Sequence, residues 1–132
     1  MVDKKRKIII VDDDKLILGL LSHEFRELGF DILTFEVGKD ALDFLMKESN
    51  LQGVFLLILD RVLPDMDGLD ILREFMAKSK VKIPTLILSV LSSERDILAG
   101  LQTGAIDYIG KPFSVFRLVQ KALNLLNEGE KK

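Results

Sequence analysis

The sequence predicts an α/β domain: a five-stranded parallel sheet with helices on both faces. Three observations predict it. Five short apolar runs alternate with five segments of helical period, and no repeat, linker or low-complexity segment interrupts them. Two of the runs, Ile8 to Val11 and Val54 to Leu59, are apolar at every position, as strands covered on both faces must be. The chain has 132 residues, of which 48% are hydrophobic, enough for one domain with a real core and too few for a second beside it.

The first strand is Lys7 to Val11, a β-branched run that stops abruptly at Asp12-Asp13-Asp14. From Asp14, read as a helix cap, the period changes: Leu16, Ile17, Leu20, Leu21, Phe25 and Leu28 recur at helical spacing, and Gly29 stands where a terminator belongs. A second strand is expected over Phe30 to Phe35, then a helix over Gly38 to Lys47 through Ala41, Leu42, Leu45 and Met46. A polar break at Glu48-Ser49-Asn50 precedes the third strand, Val54 to Leu59, which ends at Asp60. A loop with Pro64 and Gly68 leads to a helix marked by Leu69, Ile71, Leu72, Phe75 and Met76, with Asp65 and Asp67 assigned to turns or to the cap of that helix. Pro84 opens the fourth strand, Thr85 to Leu88, closed by Ser89. Ser92-Ser93 caps a helix through Ile97, Leu98 and Leu101 that Gly104 ends. The fifth strand is Ala105 to Ile109, and the last helix runs from Val115 to Asn127.

Composition excludes several functions. Lysine and arginine number 19 against 21 acidic residues, a net charge of −2, which supplies no general attraction for nucleic acid. The basic stretch Lys4-Lys5-Arg6-Lys7 reads as a solvated tail. With no cysteine there is no disulfide scaffold, thiolate metal site or thiol nucleophile. No apolar stretch approaches the roughly 20 residues that span a bilayer, and no signal-peptide core follows Met1, so a cytoplasmic location without membrane contact is expected.

In a parallel α/β sheet, ligands bind beyond the carboxyl ends of the strands. Those ends carry Asp12 and Asp13, Asp60, Ser89 and Lys111. Three carboxylates brought together repel one another unless a cation offsets them. Oxygen-only donors suit Mg²⁺, with Mn²⁺ also admissible, and not zinc. A carboxylate nucleophile beside a hard cation, an ammonium and a hydroxyl has the parts for phosphoryl transfer: Asp60 attacks phosphorus, Lys111 neutralises charge, and Ser89 donates a hydrogen bond.

The segments Ile10-Val11-Asp12-Asp13, Leu59-Asp60-Arg61-Val62-Leu63-Pro64-Asp65-Met66-Asp67-Gly68, Pro84 to Ser89, and Gly104 to Phe113 with its Lys111-Pro112 resemble the receiver domains of two-component response regulators. The resemblance covers nearly the whole chain and implies a flavodoxin-like (βα)5 fold with strand order 2-1-3-4-5. It implies that Asp60 is the phosphoacceptor. It assigns Mg²⁺ to Asp13, Asp60 and the backbone carbonyl of Val62, with Asp12 acting through a water. Ser89 and Lys111 then contact the phosphoryl group, Tyr108 is an aromatic switch that turns inward, and the Lys111-Pro112 bond is cis. The implied partners are a sensor histidine kinase or phosphotransfer protein, which donates from phosphohistidine, and a downstream protein. That second partner meets the face made by the fourth helix, fifth strand and fifth helix; a homodimer there is a further option, and direct nucleic-acid binding is not expected. The domain then spans 7–127, between a basic tail at 1–6 and a tail or linker start at 128–132, and its output is expected to be contact with another protein. Such a domain catalyses its own phosphotransfer and slow dephosphorylation and is not a turnover enzyme on a separate substrate.

Val90 stands where the family usually has Ala or Gly, which predicts slower exchange at the phosphoryl pocket. Apolar Val62 and Leu91 point to a long-lived acyl phosphate. Ser22-His23-Glu24-Phe25-Arg26 is similar to a histidine-kinase phosphoacceptor box, but the similarity ends at Glu27, and His23 reads as a solvated helix residue. An aspartyl phosphatase of the haloacid-dehalogenase kind needs a second Asp two residues after the nucleophile, where Val62 stands. The competing class is a receiver-like interaction module that works without phosphorylation. The last helix has more apolar residues than one stripe needs, and Phe116, Leu123 or Leu125 are candidates for an exposed patch.

Overall fold

The computed structural model describes residues 6–130. The elements are β1 (Lys7–Val11), α1 (Lys15–Glu27), β2 (Asp31–Phe35), α2 (Gly38–Leu45), a 3-10 turn (Glu48–Leu51), β3 (Val54–Leu59), α3 (Gly68–Lys78), β4 (Thr85–Ser89), α4 (Glu94–Thr103), β5 (Asp107–Gly110) and α5 (Val115–Glu130). All strand pairs are parallel, in the order β2-β1-β3-β4-β5. The chain passes from β1 outward to β2 and then to β3 on the other side of β1, so strand order reverses between β1 and β3.

Strand alternation divides the core into two layers. Ile8 and Ile10 of β1 and Leu56 and Ile58 of β3 face a layer closed by Leu18, Leu21 and Phe25 of α1 and by Leu118 and Ala122 of α5. Ile9 and Val11, with Leu57 and Leu59, face the opposite layer, closed by Ala41 and Leu45 of α2 and by Leu69, Ile71, Leu72 and Phe75 of α3. Both sides of β1 and β3 are therefore dry beyond Lys7, which explains why every residue from Ile8 to Val11 and from Val54 to Leu59 is apolar.

Local chemistry moves several predicted boundaries. Phe30 belongs to the end of α1, where its amide bonds to the Phe25 carbonyl behind Gly29, at φ 91°. Ala105 is likewise taken by the terminator of α4: its amide bonds to Gly100, Gly104 has φ 131°, and β5 starts only at Asp107. The second helix stops at Leu45, with residues 48–51 forming the 3-10 turn. The last helix continues to Glu130, past Asn127 and through part of the expected tail, because nothing in Glu128-Gly129-Glu130 forbids a further turn near a helix end. Residues 1–5 of the basic tail and 131–132 lie outside the described residues, while Arg6 stacks over the Phe30 ring at 5.4 Å. On α1 the buried apolar residues are Leu18, Leu21 and Phe25, whereas Leu16, Leu20 and Leu28 are exposed. Of the proposed patch on α5 only Phe116 is exposed; Leu123 and Leu125 pack against the core.

Candidate functional site

The order reversal places the ends of β1 and β3 side by side, and the ladder continues into the residues that follow. The Asp12 amide donates to the Phe35 carbonyl at 3.0 Å, and the Asp60 amide donates to Val11 at 2.9 Å. Both carboxylates are thus anchored to strands that cannot shift without opening the core. Asp12 and Asp60 are buried, and Asp13 is exposed beside them. One oxygen of each of the three lies within 4.8 Å of the others.

Lys111 follows β5, and its amide donates to the Ser89 carbonyl at 2.9 Å, so β4 sets its position. Its Nζ donates to Asp12 Oδ2 and to Asp60 Oδ2, each at 2.7 Å. The remaining oxygens are also held: Asp12 Oδ1 accepts from the Asp14 amide at 2.9 Å, and Asp60 Oδ1 from the Val62 amide at 3.0 Å. Burial raises the Asp12 pKa above the ordinary carboxylate value, against the opposing pull of Lys111. For Lys111, burial works against the charged form, yet its bonds to Asp12 and Asp60 outweigh burial and raise its pKa. The bond between Lys111 and Pro112 is cis.

Ser89 is buried at the end of β4, where its Oγ accepts from the Leu91 amide at 3.2 Å. Tyr108 points inward on β5 and its hydroxyl donates to the Leu91 carbonyl. Burial raises the tyrosine pKa, and the neighbouring Arg61 opposes that rise. Val62 forms an isolated antiparallel bridge with Asp67 at the mouth of the site, and Val90 is exposed next to Ser89.

Several neighbours of the site have roles that their local sequence does not signal. Asp65 does not serve its own loop or α3. It accepts from the Gly38 and Lys39 amides, both at 2.8 Å, and so caps α2, whose own N-cap residue, Val37, has no side-chain acceptor. Asp67 caps α3 at the Leu69 amide, as expected. Gly68 is more than a turn residue: a Cβ there would sit 2.1 Å from the Asp60 carbonyl oxygen. Arg61 reaches from the site to both Asp67 and Asp96. Asp14 caps α1 through the Leu16 and Ile17 amides, and His23 is exposed on α1 beside Glu27, 3.7 Å away. A groove of about 630 Å³ beside α1, lined in part by Lys15, His23 and Arg26, holds none of the acidic cluster.

The all-carboxylate donor set fits a hard, oxygen-seeking divalent cation, with Asp12, Asp13 and Asp60 as its holders. Acidic strand ends around a half-buried lysine, on a sheet ordered 2-1-3-4-5, define a flavodoxin-like (βα)5 domain. Residues 8–123 match the response regulator receiver domain, and the chain belongs to that family, the receiver domains of two-component systems. Among solved structures it is similar to the BeF3-activated receiver domain of DrrB, an OmpR/PhoB homologue of Thermotoga maritima, at 32% identity over 92% of this chain and 97% of that one, with a TM-score of 0.78. A CheY-like receiver domain protein from Methanospirillum hungatei matches at 26% identity over 96% and 97% of the two chains, TM-score 0.84. A CheX-CheY-BeF3-Mg²⁺ complex from Borrelia burgdorferi contains a chain matched at 26% identity over 90% and 87%, TM-score 0.81. No helix among the described residues is long and apolar enough to cross a membrane.

Proposed function

We propose that this receiver domain, spanning 7–127 or slightly more, is switched by phosphorylation of Asp60, with a sensor histidine kinase or phosphotransfer protein as donor. The observation that carries the reading is the Lys111 ammonium held 2.7 Å from both Asp12 and Asp60 at the order reversal. An Asp60 carboxylate oxygen attacks the phosphorus of a phosphoimidazole. The P–N bond breaks, and the imidazole leaves as it takes up a proton. Lys111, already bound to an Asp60 oxygen, balances negative charge as it gathers on the phosphoryl oxygens. The Ser89 hydroxyl retains a proton to donate, because its bond to the Leu91 amide uses it only as an acceptor. Asp12, Asp13 and Asp60, with the Val62 carbonyl, would hold Mg²⁺, Asp12 acting through a water; when bound, the ion offsets charge on the phosphoryl oxygens.

The acyl phosphate adds charge and acceptor oxygens beside Ser89, two residues from the Leu91 carbonyl that holds Tyr108. Output then passes to a downstream protein, or to a second copy, through α4, β5 and α5, where Leu98, Leu101 and Phe116 are exposed, with Ile106 exposed just before β5. The BeF3-activated state of the DrrB receiver and the BeF3 and Mg²⁺ of the CheX-CheY complex support the same chemistry for this site.

Incubation with Mg²⁺ and acetyl phosphate, followed by intact-mass measurement, tests the reading. One phosphoryl adduct that disappears in Asp60→Asn is the expected result. Absence of an adduct on the wild-type chain, with no response to beryllofluoride, overturns it in favour of an interaction module that needs no phosphate.

A further inference from the structure

The side chain directly after Asp60 has a role that the phosphotransfer chemistry does not use. Arg61 is only 11% exposed, and its guanidinium spans two elements: Nη2 lies 3.3 Å from Asp67 at the start of α3, and Nη1 lies 3.4 Å from Asp96 in the first turn of α4. Its backbone is fixed. The Gly68 amide donates to the Arg61 carbonyl at 2.8 Å, and Gly68 packs so closely that a Cβ would sit 2.9 Å from the Arg61 Cα. Asp96 is equally well placed, because its carboxylate accepts from both the amide and the hydroxyl of Ser93 in a reciprocal capping box.

The helix at the far end of this link is weakly held. Among the ten residues of α4 only Gly100 is fully buried; Ile97 and Ala99 are partly buried against the core, and Leu98 and Leu101 face solvent. By contrast, α3 buries Leu69, Ile71, Leu72 and Phe75. A single ion pair, sheltered on its Arg61 side and partly open on its Asp96 side, therefore makes up a larger share of what positions α4 than it would for α3.

We propose that Arg61 is a positioning residue: its ion pair with Asp96 latches α4 to the phosphorylation site, and phosphorylation of Asp60 loosens the latch. The inference rests on the phosphoacceptor reading of Asp60. Its sign follows from charge alone. A phosphoryl group adds negative charge at the residue adjacent to Arg61, where burial limits screening. That charge draws the guanidinium toward itself and repels the Asp96 carboxylate, and both effects weaken the pair.

The test compares the wild-type chain with Arg61→Met, which keeps the alkyl volume, and Asp96→Asn, which keeps the capping geometry. Labelling by acetyl phosphate is read by intact mass, and hydrogen exchange is read on peptides covering residues 91–104 with and without Mg²⁺ and beryllofluoride. All three proteins are expected to label. In the wild type, beryllofluoride should speed exchange in α4 by about fivefold, the lower end of ordinary coupling between sites. In both variants, exchange should start fast and respond no further. A purely structural role for Arg61 would raise the starting rate but preserve the fivefold response, and that result overturns the proposal. So does a wild type that labels without any change in α4. A wild type that does not label overturns the phosphoacceptor reading itself, and the latch with it.

Discussion

Replacing Lys111 with Met tests the electrostatics of the site most directly, because it removes the ammonium and keeps most of the alkyl chain. The side chains of Asp12 and Asp60 are 2% and 3% exposed, and that of Lys111 is 11% exposed. At the 2.7 Å contacts each pair is worth about 6 kcal/mol for an effective dielectric constant near 20. Desolvation of three nearly buried charges offsets most of that. What remains on removing one partner is the cost of uncompensated buried carboxylates, about 3–5 kcal/mol. For a domain of this size it corresponds to a fall in melting temperature of roughly 10–20 °C at neutral pH.

The pH dependence gives the sharper test. Burial already raises the Asp12 pKa, and without Lys111 the carboxyl rises further. A carboxyl with a raised folded-state pKa contributes its stability below the unfolded value of 3.8 and loses it as pH climbs through the folded value. The deficit of the variant should therefore be small near pH 4 and grow toward neutrality. Urea unfolding in EDTA, at half-unit pH steps from 4 to 8, measures it. An equal deficit at both ends would show that Lys111 acts through packing, and would refute the electrostatic argument.

Three further substitutions probe the surroundings. Gly68→Ala puts a methyl group 2.1 Å from the Asp60 carbonyl oxygen and 2.9 Å from the Arg61 Cα, backbone atoms that cannot swing aside, so a loss of about 2–3 kcal/mol in urea unfolding is expected. Unchanged melting would refute the close packing. Asp65→Ala leaves the first amides of α2 without their acceptor and should lower the melting temperature. The Lys39 amide is the main cause that holds this carboxyl below its ordinary value, so the stabilisation is present above pH 3.8 and lost as pH falls through the lower folded value, where variant and wild type should melt alike. Val90→Ala should hasten both labelling by acetyl phosphate and decay of the adduct, followed by intact mass after donor removal; unchanged rates would show that this side chain does not limit access.

How far the sequence could be read depended on the range of each interaction. Asp12 and Asp60 were visible because an apolar run on a doubly covered strand stops at an acid, a pattern contained within a few residues. Asp14 and Asp67 were visible for the same reason, since a cap and its amides lie two or three residues apart. The role of Asp65 is not local, because its amide partners are 26 and 27 residues away on another helix, so the sequence pattern points it to the wrong element. Arg61 carried no signal at all, because Asp96 lies 35 residues further on and joins it only once α3 and α4 are packed. Leu16 fits the apolar period of α1, but it sits in the first turn, beside the open end of the sheet, where no neighbouring helix covers it.

The unequal packing of the helices gives the site its consequence. Asp12, Asp60 and Ser89 each terminate or follow strands whose side chains are almost wholly buried, so the atoms that would take a phosphoryl group have little freedom to move. On the same side of the sheet, α3 buries four large apolar side chains, at about 1.5–3 kcal/mol each, whereas α4 fully buries only a glycine. Gly100 rests on the Tyr108 ring, so a Cβ there would sit 2.7 Å from it, and the Tyr108 hydroxyl in turn holds the loop that precedes α4. The polar contacts of α4 and of that loop, at Asp96 and at the Leu91 carbonyl, thus add to an apolar anchor that consists only of the partly buried Ile97 and Ala99. Polar contacts of this kind respond to a nearby charge and apolar burial does not, so phosphorylation of Asp60, as proposed, would be felt most by α4, whose apolar anchor is smaller than that of α3.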